Sequence, residues 1–140
     1  MMRRGTVLMT CAITLMAAGG MATSASAYES FRSPSGNIHC SYFDDGTLRC
    51  DLLQTANKPP KRPADCDLEW GNAFEMSAGG RRAGRICHGD TVMDPQSYVL
   101  PYGESWSAGG FSCISSERGM SCRNPRGAGW DLARAGQKLY

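Results

Sequence analysis

The chain has two histidines, and each stands beside a cysteine: His39-Cys40 and Cys87-His88. These residue types serve metal sites and thiol catalysis, but the spacing favours neither. Adjacent residues of a strand point to opposite faces, so a neighbouring thiol and imidazole do not form a nucleophile and base by adjacency. A cysteine committed to a disulfide also offers no thiolate to a metal. Asp67, Glu69 and Asp90 could supply oxygens to calcium, yet no stretch has the spacing of a calcium-binding loop. No Gly-x-Ser-x-Gly elbow occurs; Gly103-Glu104-Ser105-Trp106-Ser107 does not match it. Asp44-Asp45 reads as a turn, too exposed for a carboxyl whose pKa must be raised by burial. Asp51 and Asp90, close after Cys50 and Cys87, are expected to hydrogen-bond turn amides. A small hydrolase using His88 or His39 with Asp90 or Asp51, His88 with Asp90 first, is the catalytic alternative. No catalytic residue, metal or cofactor is assigned.

Binding is the better-supported reading. Arg81, Arg82 and Arg85 cluster around Gly79-Gly80 and Gly84, and a basic hairpin tip would suit an acidic partner. Exposed aromatic rings would mark a sugar or protein site. The candidate binding surface is therefore Arg81, Arg82, Arg85, Trp106 and Tyr102. The glycine pairs are turns with no helix after them, so no phosphate-binding loop is expected.

Residues 1–27 read as an export signal. Arg3 and Arg4 precede an apolar run from Val7 to Ala18, and Ala25-Ser26-Ala27 provides small residues for cleavage before Tyr28. Removing 27 residues from the 140 leaves 113, one domain with a modest core. The formal charge of +2 rests on Arg3 and Arg4, and the remaining Lys and Arg balance 13 Asp and Glu. That balance argues against nucleic acid as a partner. Of seven cysteines, only Cys11 lies in the signal; an even set in an exported chain is a disulfide framework. The expected location is periplasmic or secreted. The mature chain is read as a monomer with no membrane span.

The elements that must position these residues read as short strands punctuated by Gly and Pro, with no run at helical spacing. The fold class is all-β: a small disulfide-stapled sandwich or barrel of short antiparallel strands and hairpins, over residues 28–140. Asp44-Asp45-Gly46 centres a hairpin pairing Phe43 with Thr47, Tyr42 with Leu48, Ser41 with Arg49 and Cys40 with Cys50. A second hairpin about Glu117-Arg118 pairs Ser115 with Met120, Ile114 with Ser121 and Cys113 with Cys122. Those registers favour the Cys40–Cys50 and Cys113–Cys122 bridges, which leaves Cys66–Cys87 by elimination. Asp65 to Trp70 alternates acidic and apolar residues like a half-buried strand. Ala73–Ser77 and Arg82–Cys87 flank Ala78-Gly79-Gly80 as a further hairpin. Gln54–Pro63 is a proline-rich connector, Tyr98–Tyr102 an edge segment, and Trp130–Ala133 a strand followed by a short tail.

The mature chain resembles the exported bacterial family called domain of unknown function 6636. The resemblance rests on Ser33-Pro34-Ser35-Gly36-Asn37-Ile38 with Cys40, on Arg49-Cys50-Asp51, on Trp70-Gly71, and on Cys87 with Gly89-Asp90-Thr91. It continues through Leu100-Pro101-Tyr102-Gly103, Phe111-Ser112-Cys113, and Gly119 with Cys122 and Asn124. The family ending resembles Gly-His-Gly-Phe; here it is Gly127-Ala128-Gly129-Trp130, so a role for that histidine does not carry over. The resemblance implies export, disulfides and a β-rich domain, and no activity. The reading is an exported, non-catalytic binding or inhibitor module with a protein or glycan ligand. A structural envelope protein is the remaining alternative.

Overall fold

The computed structural model describes Gly19 and residues 29–140. Apart from Gly19, the expected export signal and its cleavage point lie outside the described residues. Eleven strands follow in order: β1 Ser30–Arg32, β2 Ile38–Phe43, β3 Thr47–Leu52, β4 Ala73–Ser77, β5 Gly84–Arg85, β6 Tyr98–Val99, β7 Ser105–Ala108, β8 Phe111–Ser116, β9 Gly119–Arg123, β10 Gly129–Ala133 and β11 Gly136–Leu139. They form two sheets, ordered β5-β4-β3-β2-β1-β6 and β11-β10-β9-β8-β7, and no helix occurs among the described residues. The all-β, disulfide-stapled expectation holds.

Both hairpin registers are those expected from turn symmetry, residue for residue. Alternation then sends Cys40, Leu48, Cys50 and Leu52 inward from the first sheet, and Phe111, Cys113, Met120 and Cys122 inward from the second. The Cys40–Cys50 and Cys113–Cys122 bridges therefore lie inside the core, one on each inner face, and Cys66–Cys87 is the third. Each such bridge stabilises by about 2–4 kcal/mol. Rings knit the layers: Phe31 and Trp106 lie 4.6 Å apart, and Tyr42 meets Phe111 at 5.9 Å. Trp130 and Leu132 complete the wall beside Phe74 and Met76. Fully burying each large apolar side chain contributes roughly 1.5–3 kcal/mol. The seams are tied as well. The Ala83 amide donates to the Tyr140 carbonyl at the β5–β11 side, and the short segment 100–104 links β6 to β7 at the other.

Four details differ from the sequence expectation. β6 joins β1 in parallel, because it arrives by a long loop and not by a hairpin. The tail after Ala133 is a strand, β11, paired along β10. Arg82–Cys87 contributes only Gly84 and Arg85 to the sheet. Asp65–Trp70 is not a half-buried strand: Leu68 is exposed, and the segment makes a single bridge from Glu69 to His88 outside the sheets. The Cys66–Cys87 bond ties it to that outside position, so its alternation meets no core.

One turn tests the register directly. Gly119 opens β9 with φ +136°, and a Cβ there would stand 1.8 Å from the Leu132 carbonyl oxygen on the neighbouring strand. Gly36 also has positive φ, +72°, but faces open space. In urea unfolding, Gly119→Ala should cost at least about 2 kcal/mol and Gly36→Ala about 1 kcal/mol. Equal effects would contradict this packing.

Candidate binding cleft

His39 and Asp51 on the outer face of the first sheet gather with His88 and Asp90 of the loop 88–97 that covers it. Arg49 and Asp51 alternate outward from β3, opposite the core residues Leu48, Cys50 and Leu52. Arg49 grips Asp51 with two bonds, Nε to Oδ1 at 2.9 Å and Nη2 to Oδ2 at 3.0 Å. It also reaches the Asp90 carboxylate at 2.8 Å and the Asp90 carbonyl at 3.0 Å. Asp51 is fully buried and further accepts from the Thr91 hydroxyl and the Val92 amide. Burial pushes the Arg49 guanidinium down, but its bonds to Asp51 and Asp90 outweigh this and hold it above its ordinary value. The exposed Asp90 carboxyl is held below the usual carboxylate range by its hydrogen bond from Arg49 and by that charge.

Both histidines are absorbed into the same fastening. His88 contacts the Asp90 carbonyl through Nδ1 at 2.6 Å and Asn72 Oδ1 through Nε2 at 2.9 Å. His39 meets the Gly36 carbonyl at 2.9 Å through Nε2 and receives the Asp94 amide at Nδ1. Neither ring touches a carboxylate; Asp90 and Asp51 turn theirs to Arg49. The cluster is thus a clasp for the loop, with each ring nitrogen already engaged.

The concave surface lies elsewhere, at the end of the sandwich where β2 begins and β3, β8 and β10 end. A cleft of about 460 Å³ opens between the turn Ser33–Asn37, Leu53, Tyr102, the β8–β9 turn and Arg134. Its walls are firmly set. Ser33 Oγ takes the Ile38 amide, and Asn37 exchanges two hydrogen bonds with the Gln54 backbone. Gly103 donates to the Ser115 carbonyl at 2.7 Å, which fixes Tyr102. Leu53 and Tyr102 are exposed, 57% and 45%, although both are large and apolar. Arg118 and Arg134 are exposed at the rim. The size falls in the usual range for small-ligand sites.

A model for a family of unknown function (DUF6636) matches residues 8–140. The chain belongs to that family. No curated protein and no solved structure matches it. In this DUF6636 chain, the cleft is lined by Ser33, Ser35–Ile38, Tyr102 and Gly119, all within segments on which the resemblance rests.

Of the candidate surface residues, only Tyr102 lies here. Trp106 is fully buried between the sheets and presents no surface to a ligand, because its inward position in β7 sets it against Phe31. Arg81 and Arg82 are exposed at the opposite end, where Arg126 bonds the Gly79 carbonyl beside them. Arg85 turns away from both, lying 5.0 Å from the Phe74 ring and donating to the Gly71 carbonyl; burial pushes its guanidinium down. Leu53, Arg118 and Arg134 were not singled out from the sequence. No local signal marks them, because each lies in a connection after a strand and only the sheet pairing brings those connections together.

The clasp is testable through its cation. Arg49→Met would leave Asp51 buried without its partner and should cost about 3–5 kcal/mol in urea at neutral pH. The lowered Asp90 pKa stabilises the wild type above the ordinary carboxylate range, and this is lost as pH falls through the folded value. The gap between wild type and variant should therefore narrow in acid. A neutral-pH cost under about 1 kcal/mol would contradict the role given to Arg49.

Proposed function

We propose that this DUF6636 protein is a non-catalytic, extracytoplasmic binding or inhibitor module, monomeric, that holds a glycan or a protein segment in the cleft between its sheet ends. The observation that carries the reading is that Leu53 and Tyr102 are both exposed in one concave site, whereas the other exposed large apolar side chains, Phe43, Leu68, Ile114 and Tyr140, lie outside it. Exposed apolar side chains in a concavity gain free energy when a ligand removes them from water. Serine hydroxyls on one wall and the guanidinium groups of Arg118 and Arg134 at the rim supply the polar contacts that orient a ligand. The three disulfides are consistent with work outside the cytoplasm. A stapled frame also limits the ordering cost of binding.

The hydrolase alternative draws no support from the outer-face cluster. Its imidazole nitrogens bond backbone groups and Asn72, and its carboxylates bond Arg49.

A panel of glycans and peptides screened against the protein by calorimetry tests the proposal. A retained ligand should lose at least tenfold in affinity with Tyr102→Ala and with Arg118→Ala, while the melting temperature stays unchanged. Indifference of every retained ligand to both substitutions, or conversion of a panel member to product, would overturn it.

A further inference from the structure

We propose that the loop Lys58–Arg62 and Trp70 form a second site, separate from the cleft, for an acidic polysaccharide whose sugars carry carboxylates. Lys58, Lys61 and Arg62 are exposed, and none takes part in an ion pair among the described residues. The acidic run Asp65, Asp67 and Glu69 follows closely in sequence but does not come within ion-pair distance of them. The three cations surround a groove of about 560 Å³ floored by Pro59, Pro60 and Trp70. Clustered cations over an apolar floor attract an anion and at the same time offer it something to pack on.

The loop is fastened far more than a solvated connector requires. The Ala56 amide donates to the Arg134 carbonyl at 2.7 Å. Asn57 and Gln137 exchange two side-chain bonds, 3.0 and 2.8 Å, which moor the loop to β11. Pro59 packs so closely on Gly71 that a Cβ there would lie 3.0 Å away. The indole Nε1 of Trp70 donates to the Pro60 carbonyl at 3.0 Å, which sets the ring plane. Pro59, Pro60 and Pro63 hold φ fixed. Most of the ordering cost of presenting three charges beside one ring is thus met by the fold itself.

The ring selects among anions. An indole face is electron-rich and packs against the polarised C–H face of a pyranose. Guanidinium and ammonium groups at its border pair with carboxylates on the same sugars. An acidic polypeptide offers the charge without the ring. Single-stranded nucleic acid offers both, but the three disulfides are consistent with an oxidising compartment, where acidic polysaccharides are common polyanions.

The test uses the purified protein and four probes: polygalacturonate, dextran, polyglutamate and oligothymidylate. Trp106 and Trp130 are buried and Trp70 is half-exposed, so indole fluorescence reports this groove. Polygalacturonate should shift the emission saturably, bind at least tenfold tighter than the other three, and weaken with added salt. Lys61→Gln with Arg62→Gln should weaken it at least tenfold. Arg81→Gln with Arg82→Gln removes the same charge at the far end and should leave it within twofold. By calorimetry, Trp70→Phe should weaken binding to the sugar polymer. Equal binding of polyglutamate or oligothymidylate would overturn the sugar assignment. Equal losses in the two double variants, or no binding of polygalacturonate, would overturn the site.

Discussion

A guanidinium and a carboxylate two residues apart on one strand emerge on the same face of a sheet. In β3 that face ends beneath a loop. Arg49 and Asp51 therefore meet where water is scarce, and Asp51 has no exposure at all. Such a pair is tolerable only when every remaining lone pair and proton is used. The loop 88–97 meets this need: Asp90, Thr91 and Val92 bring a carboxylate, a hydroxyl and an amide to the pair. The dependence runs both ways, since the loop has little apolar material of its own and stays folded down because the pair holds it. Its far end then delivers β6 to the edge of β1 and Leu100 to the core.

The rest of the frame follows from the small size of the domain. Two inward-facing disulfides occupy core positions that aliphatic side chains would otherwise fill, one per sheet. They restrict the unfolded chain while Phe31, Trp106 and Trp130 supply the buried area. Leu53 and Tyr102 remain uncovered at one end, whereas the histidine cluster has its ring nitrogens and carboxylates already engaged, and the proposed ligand site is therefore the cleft.

The sequence carried the hairpins well because local symmetry sets register. A turn centred on Asp45 leaves one way to align Cys40 with Cys50, and the same holds for the turn at Glu117-Arg118. It carried Asp65–Trp70 badly, since alternation signals a strand only if a core lies on one side. Trp106 shows the complementary failure: composition supplies the ring but not the face it takes. Arg49 and Asp51 could be seen to share a face by their spacing, whereas their cover comes from about forty residues downstream. The cleft is assembled from five segments distant in sequence, and no periodicity marks such a meeting. The resemblance to the family was legible because its words are short and ordered. It conveyed fold without chemistry.

The central claim is that the cleft binds while the outer-face clasp stays shut. Amide-resolved NMR of the isotopically labelled protein, titrated with fractionated glycans and peptides from the producing cell's envelope, tests it most directly. The account predicts shifts at Ser33–Asn37, Leu53, Tyr102 and Glu117–Arg118, with residues 58–62 and Trp70 moved only by acidic polysaccharide, the 88–97 amides unchanged and no product formed. Shifts centred on His39, His88 and Asp90, with the Arg49 side-chain signals released or a probe converted, would contradict it.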